Sequence, residues 1–273
     1  MSAKILILLA IIGIALVNTA GAANYMYDKS GDGATLLTQW TAEYRADHIA
    51  IGPGSEVYVN INQNYKVVKY SPEGEMLTEW PLEGPASGIV TGPGGEVYVN
   101  INQNYKVVKY SPEGEMLTEW PLEGPASGIA TGPGGEVYVN INQNYKVVKY
   151  SPEGEMLTEW PLEGDSSGIA TGPGGEVYVN INQNYKVVTY SPEGEMQAEW
   201  DVDGVIETNG IAVGPGGEVY VNINQNYKVV KYSPEGEMLN EWTVEGEMTD
   251  MAAGPNGLVY ISFTDGLIQV LEA

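Results

Sequence analysis

The side chains that could carry acid–base chemistry in this chain centre on its single histidine, His48. It follows Asp47 and Arg45 and stands where similar segments of the chain have glycine. Asp250 holds nearly the equivalent place in a later segment. A histidine with carboxylate neighbours can act as a general acid or base when the groups share a cavity. A hydrogen-bonded or solvated histidine explains the same pattern, because a lone histidine without a second ligand rarely makes a metal site.

A second set of candidate residues consists of amide side chains at a fixed spacing. The tripeptide Asn-Gln-Asn, followed each time by tyrosine, occurs five times. Amides beside an aromatic ring can hydrogen-bond to and stack on sugars, or contact a peptide, and five copies would add avidity. The alternative is that asparagine only provides turn conformations. The candidate ligand-binding residues are Asn62, Gln63, Asn64, Asn102, Gln103, Asn104, Asn142, Gln143, Asn144, Asn182, Gln183, Asn184, Asn224, Gln225 and Asn226.

A third candidate site lies near the start of the chain. Asp28, Ser30 and Asp32 have the alternating spacing of oxygen ligands in a calcium loop, with Gly33 at the sharp bend. The twelfth position is Gln39 instead of glutamate, and a long hairpin turn rich in Asp and Gly has the same composition. The chain has no cysteine, so thiolate metal sites are excluded. We therefore expect no cofactor, with calcium as the alternative.

All these candidates are positioned by a repeat that returns five times. The unit from Trp80 to Glu119 has 40 residues, and the next unit differs from it only by Ala130 in place of Val90. A period near forty with several short strands per unit is typical of a β-propeller, in which one unit forms one blade. A site made of repeated residues would therefore form a ring. A singular site must lie where the repetition fails, at 41–47, 165–167 and 201–209, although relaxed surface loops would also explain these breaks.

Each unit contains four short strands separated by turn residues. In one unit the predicted strands are 88–91, 96–101, 105–110 and 115–120, and the turns between them are GPGG, NQN and SPEG. Both faces of the second strand are apolar or aromatic, which suits a blade packed between neighbours. Propeller geometry puts the NQN turns and the linkers between blades at one end of the channel. The GPGG and SPEG turns lie at the other end.

The number of blades follows from the two ends of the repeat region. The last unit supplies only three strands, Met251–Ala253, Leu258–Phe263 and Leu267–Leu271, and residues 34–40 match the missing fourth strand. The sequence therefore predicts an all-β fold: a six-bladed β-propeller of four-stranded antiparallel blades, closed by an N-terminal strand that completes the C-terminal blade. We expect one such domain over residues 23–273.

The first 22 residues have the composition of a secretory signal peptide. Lys4 gives a short basic start, residues 5–17 are apolar, and Ala20 and Ala22 form the A-x-A pattern, with cleavage expected after Ala22. The alternative is an uncleaved N-terminal anchor, which would be the protein's only membrane contact. In either case we expect the propeller to be secreted or held at the cell surface.

The charge of the chain restricts its partners. It has 36 acidic and 12 basic residues, for a formal net charge of −24. Such a surface repels phosphate backbones, so nucleic acid is not an expected partner. The negative charge can serve to keep the protein soluble. The alternative is that it attracts cations or basic partners.

The repeat GIATGPGGEVYVNINQNYKVVKYSPEGEMLTEW resembles the NHL repeat of six-bladed propellers. It departs from that family at a common aspartate after the second strand, which is asparagine here (Asn100 in one unit), and at a common arginine, which is Lys106. The string Val-Tyr-Val-Asn is similar to YVTN-type surface propellers, and the GPGGEV phrase to streptogramin lyases. Propellers with such repeats include binding modules, extracellular sensor domains and a few lyases, so the resemblance implies one of these roles. The metal-dependent lyases of this kind hold several histidines, which this chain lacks.

These observations favour an exported, non-catalytic binding or scaffold module for an extracellular protein or glycan. A propeller lyase or hydrolase with a channel site around His48 is the alternative.

Overall fold

The computed structural model describes residues 33–202, 206–223 and 227–273. Over these ranges 24 strands form six four-stranded antiparallel sheets, which confirms the predicted six-bladed propeller. The strands of blades one to three are β2 (His48–Ile51), β3 (Val57–Ile61), β4 (Lys66–Tyr70), β5 (Met76–Pro81), β6 (Ala86–Thr91), β7 (Val97–Ile101), β8 (Lys106–Tyr110), β9 (Met116–Pro121), β10 (Ala126–Thr131), β11 (Val137–Ile141), β12 (Lys146–Tyr150) and β13 (Met156–Pro161).

Blades four to six complete the ring. Their strands are β14 (Ser166–Thr171), β15 (Val177–Ile181), β16 (Lys186–Tyr190), β17 (Met196–Asp201), β18 (Ile206–Val213), β19 (Val219–Ile223), β20 (Lys228–Tyr232), β21 (Met238–Thr243), β22 (Met248–Ala253), β23 (Leu258–Phe263), β24 (Leu267–Glu272) and β1 (Thr35–Thr41). Short 3-10 helices cover Asn102–Asn104, Asn142–Asn144 and Asn182–Asn184, where the sequence predicted only turns.

The first strand begins at His48 in blade one, as predicted, but in blades two to five it begins earlier than the sequence predicts. In blade two, β6 begins at Ala86 instead of Gly88, and its register with β7 shifts between these two residues. A bulge of this kind adds one unpaired residue, which no alternation of polar and apolar residues reveals. Ser166 and Ser167, predicted as linker, are consequently buried residues of β14.

The predicted exchange of strands between the two ends of the chain is confirmed. Strand β1 pairs with β24, with Trp40 opposite Ile268, so that the sixth sheet has the order β1-β24-β23-β22. In blades one to three a lysine of the third strand donates to a proline carbonyl of the next blade, as Lys69 does to Pro112 at 3.3 Å. Lys231 makes the corresponding bond to the main-chain oxygen of Ala273 at 3.0 Å. Blade five is thus joined to the composite blade by the same kind of bond that joins blades one to four to one another.

Neighbouring blades are held together by the buried second strand and the tryptophan of the fourth strand. All five residues of β7 are buried, as expected for a strand enclosed on both faces. The ring centre of Trp80 lies 6.2 Å from that of Tyr58 in its own blade and 5.9 Å from that of Tyr110 in the next. The tryptophans therefore pack in the interfaces between successive blades.

Polar groups also link successive blades around the channel. Asn100 is fully buried, and its Nδ2 donates to the carbonyl of Gly128 in the next blade at 3.3 Å. The hydroxyl of Thr131 donates to the carbonyl of Thr91 at 2.7 Å. Asn140 makes the same bond to Gly168 at 3.3 Å, and an ionised aspartate at either position could not donate it.

The two ends of the channel differ as predicted. At one end, here called the amide end, the backbone N–H of Asn102 donates to the carbonyl of Pro85 in the linker at 3.1 Å. At the other, the proline end, six Gly-Pro turns surround the channel mouth. The predicted signal peptide, residues 1–22, lies outside the described residues. Among those described, no helix is long and apolar enough to cross a membrane.

Candidate functional site

The Asn-Gln-Asn segments present their last two residues to solvent. In blade two, Gln103 and Asn104 are exposed while Asn102 is half-buried. The same pattern holds at Asn62, Gln63, Asn64, Asn142, Gln143, Asn144, Asn182, Gln183 and Asn184. Asn224, Gln225 and Asn226 lie outside the described residues. The structure thus brings four of the five predicted amide groups to the amide end, one on each of four successive blades.

The first asparagine of the tripeptide has a structural role in at least two blades. The side chain of Asn62 accepts from the N–H of Ala86 at 2.8 Å and donates to its carbonyl at 3.0 Å, so it joins blade one to blade two. The Oδ1 of Asn182 accepts from the hydroxyl of Ser167 at 2.8 Å. These bonds agree with the alternative that asparagine serves the turn. The Gln-Asn pair and the tyrosine that follows it are exposed to solvent.

The tyrosine after each tripeptide has an unusual backbone conformation. Tyr105 has φ +46°, in the left-handed region that disfavours residues with a Cβ. Its side chain remains about half exposed, at 46%. Four other tyrosines share both properties, with φ between +47° and +51° and comparable exposure. We call the five residues the tyrosine ring: Tyr65, Tyr105, Tyr145, Tyr185 and Tyr227.

The composite blade shows which residue this backbone position accepts without strain. The carbonyl of Tyr105 accepts from the N–H of Leu122 at 2.6 Å, and in the composite blade the carbonyl of Gly266 accepts from the N–H of Ala42 at 2.9 Å. Gly266 therefore takes the tyrosine's place, with φ +85°. Glycine adopts this conformation at no steric cost. The other five blades have a tyrosine at this position, where glycine would have less backbone strain. The sequence alone did not reveal that strain.

We call each tyrosine of the ring, together with the Gln-Asn pair before it, a station. The lysine that follows each of these tyrosines forms a salt bridge with at least one glutamate. Lys106 Nζ lies 2.6 Å from Glu83 and 2.7 Å from Glu119, and its side chain is 12% exposed. The same cluster recurs around Lys146 and Lys186. The pKa of Lys186 is raised above its ordinary value, first by the hydrogen bond to Glu163 and then by that to Glu199. These lysines are consequently charged and locally neutralised by carboxylates.

The predicted acid–base residues His48 and Asp250 are neighbours in the structure. Nδ1 of His48 lies 3.7 Å from Oδ2 of Asp250, and both side chains are largely buried. The carboxylate also accepts from the N–H of Ile49 at 3.0 Å and from that of Met251 at 2.7 Å. Burial raises the pKa of Asp250, and the contact with His48 opposes part of that rise. The burial therefore favours the neutral form of the Asp250 carboxyl group.

Arg45 and Asp47 form a separate contact at the amide end. Arg45 Nε lies 3.1 Å from Oδ1 of Asp47. The other carboxylate oxygen of Asp47 accepts from the N–H of Asn62 at 2.7 Å. Asp47 thus holds the turn of blade one, in the place where the carbonyl of Pro85 holds that of blade two. These bonds give it a positioning role in the fold.

The His48–Asp250 pair belongs to a polar network between the composite blade and blade one. The hydroxyl of Thr249 donates to the carbonyl of Ala46 at 2.5 Å and is hydrogen-bonded to that of Ser262 at 2.8 Å. Ser262 pairs with Asp250 across the strands, just as Asn100 pairs with Gly88 in a regular blade. Thr249 and Ser262 were not among the residues predicted for this site. Aligning the last unit with the repeat would have revealed both as departures from it.

Asp250 also reaches the central channel. The channel holds a cavity of about 240 Å³ lined by the first strands of all six blades. Its other lining residues are glycine, alanine, valine, isoleucine, threonine and methionine, so Asp250 is its one ionisable lining residue within the described part of the chain. The arrangement provides one carboxylate in an apolar channel, with a histidine next to it.

Metal ligands are not brought together in the described residues. No group of three or more His, Cys, Asp or Glu side chains there could hold a metal ion. The calcium candidates Asp28, Ser30 and Asp32 lie outside those residues, so calcium binding stays a prediction.

The architecture recurs in solved structures of enzymes. A streptogramin B lyase matches with a TM-score of 0.68 and 15% identity, over 87% of this chain and 97% of that one. Virginiamycin B lyase from Staphylococcus aureus, in selenomethionine form, matches with a TM-score of 0.67 and 15% identity over 88% and 99%. The fold is similar to that of the streptogramin B lyases.

A further solved structure contains a ligand. It is a catalytically inactive histidine-to-alanine variant of the Staphylococcus aureus virginiamycin B lyase with quinupristin, and it matches with a TM-score of 0.65 and 16% identity over 95% of this chain and 98% of that one. No protein-family model and no curated protein matches the sequence. At such identities the likeness shows the shared six-bladed fold, not a shared activity.

Proposed function

We propose that this protein is an exported, non-catalytic binding module that contacts an extracellular protein or glycan through the tyrosine ring and the adjacent Gln-Asn pairs. The observation that carries the proposal is the strained, half-exposed tyrosine repeated in five blades, at a position that the sixth blade fills with Gly266. Backbone strain that packing does not require is most often retained where a side chain has a function. The resemblance of the repeat to NHL propellers, which include binding modules, is consistent with this role.

The test compares two variants of the full chain for binding to an array of glycans and extracellular proteins. In the first, all five residues of the tyrosine ring are changed to alanine. The matched control changes five exposed methionines on the outer strands to alanine: Met76, Met116, Met156, Met196 and Met238. We expect the tyrosine variant to lose binding and the methionine variant to keep it. Equal binding by both variants, or by neither, contradicts the proposal.

Export is a separate part of the proposal and has its own test. The apolar run 5–17 followed by Ala20 and Ala22 supports cleavage after Ala22. N-terminal sequencing of protein recovered from the culture medium should therefore begin at residue 23. Recovery of the uncleaved chain in the membrane fraction would support the anchored alternative, and recovery in the cytosol would contradict export.

A second candidate function is a propeller lyase or hydrolase with its site at the channel. The contact between His48 and Asp250 favours it, because the pair lies beside an apolar cavity in a fold similar to that of streptogramin B lyases. The test incubates the wild type and the His48→Ala variant with quinupristin and follows substrate loss by mass spectrometry. Turnover that disappears in a folded variant supports this candidate. Absence of turnover by the wild type contradicts it for that substrate.

A further inference from the structure

We propose that the ligand of the tyrosine ring is a neutral polysaccharide that contacts several blades at once. This inference rests on the proposed binding function and adds the chemical class of the ligand. It depends on three properties of the ring: the groups it exposes, the charge around them and their repetition.

The exposed groups match the chemistry of uncharged sugars. Each completely described station offers the amides of a Gln-Asn pair, such as Gln103 and Asn104, and the hydroxyl of a tyrosine. Amides and phenols both donate and accept hydrogen bonds, as do the hydroxyls of a sugar. The face of a tyrosine ring is apolar and carries partial negative charge, so it suits the C–H groups on one face of a pyranose. One station therefore provides both kinds of contact that a sugar unit needs.

The surrounding charge disfavours acidic ligands. The nearest lysine in sequence, Lys106, is held between Glu83 and Glu119 and has little exposed surface. Each such cluster has one positive and two negative charges, so no free cation is offered to a sulfate, phosphate or carboxylate there. The chain as a whole carries −24 charges. An acidic polysaccharide would be repelled, whereas a neutral one is unaffected.

The repetition favours a ligand that is itself repetitive. Four successive blades carry the same exposed triplet, and Tyr227 extends the series to a fifth. One folded protein partner or peptide does not present the same small feature five times, whereas a polysaccharide chain does. Shallow, weak stations become effective when several act together, because each later contact is intramolecular. The tyrosine ring is thus suited to binding through several weak contacts at once, and not through a single deep pocket.

The experiment measures binding of the intact protein to soluble polysaccharides by affinity electrophoresis. The neutral probes are a β-1,4-glucan, a β-1,3-glucan, an α-mannan and a galactan, and the acidic probe is polygalacturonate. Variants have one, three or five residues of the tyrosine ring changed to alanine, and the five-methionine variant is the control.

We expect at least one neutral polysaccharide to retard the wild type, with little change at about 1 M salt, where ionic contacts are screened. Binding should weaken by at least about tenfold when three stations are removed and disappear when five are removed. Retardation by polygalacturonate alone, or by no polysaccharide, would overturn the proposal. If the tyrosines are needed for binding to an arrayed protein while no neutral polysaccharide binds, the binding function stands and the ligand class is wrong.

Discussion

The indole ring of Trp80 lies directly over Gly114 of the next blade. A Cβ at Gly114 would stand 2.5 Å from the ring, and the residue has φ +90°. Trp40 covers Gly74 in the same way, as does Trp120 over Gly154. The glycine of each SPEG turn is therefore both the end of a hairpin and the contact surface for the tryptophan of the preceding blade.

Gly114→Ala should destabilise the protein by about 2–5 kcal/mol, because the new methyl group meets the indole of Trp80 and the backbone is strained. The matched control is Gly257→Ala, which also has positive φ, at +78°, but has no atom within 4 Å of the added Cβ. It should cost only the backbone strain, about 1–2 kcal/mol. Urea unfolding of both variants measures the difference. Equal losses in the free energy of unfolding would mean that the indole ring moves aside for the methyl group at no cost in stability.

Changing Tyr105 to glycine should leave stability within about 0.5 kcal/mol of the wild type. The relief of left-handed strain is offset by the greater backbone freedom of glycine in the unfolded chain. Tyr105→Ala keeps the strain, so it should be less stable than the glycine variant by about 1 kcal/mol. Thermal and urea unfolding of both variants check this order. A loss above about 2 kcal/mol for glycine would show that the ring of Tyr105 stabilises the fold.

The stability contributed by Asp250 should fall as pH rises. Burial raises its pKa in the folded state, so the folded protein binds a proton that the unfolded chain has released. The contribution is complete below the unfolded value of about 3.9 and is lost as pH increases through the folded pKa. Measured as the difference between wild type and Asp250→Asn, the free energy of unfolding should decrease over this range. A difference that is constant from about pH 3 to pH 8 would contradict the raised pKa.

The fold could be predicted from the sequence because the same weak local signals recur in every repeat. Turn residues such as Pro112 and Gly114 recur in every regular unit, so strand order, blade number and the composite blade all followed from them. Strand bounds were less accurate, since the bulge near Ala86 has no signature in the pattern of side chains. The alignment of Asp250 with His48 was also correct, as both pair with the second strand at the same repeat position.

What the sequence could not reveal depends on backbone conformation and on contacts between distant segments. The positive φ of Tyr105 is a property of the folded turn, and a tyrosine after Asn-Gln-Asn gives no hint of it. The bond from Thr249 to Ala46 joins residues 203 positions apart. Contacts between residues so far apart in the sequence arise where the ring closes, because the first and last blades are neighbours there.

Removal of strand β1 should destabilise the ring far more than its seven residues suggest. A chain that begins at residue 42 lacks Trp40, which packs on Gly74 and contacts Tyr70 with ring centres 6.2 Å apart. It also leaves β24 as an exposed edge, with its N–H and C=O groups unpaired on one side. The control begins at residue 33 and keeps the whole of β1. We expect the control to unfold in one cooperative transition, and the shorter chain to unfold at lower temperature and to aggregate through the free edge. Light scattering and thermal unfolding measured together distinguish these outcomes, and equal melting temperatures would mean that the composite blade does not need its fourth strand.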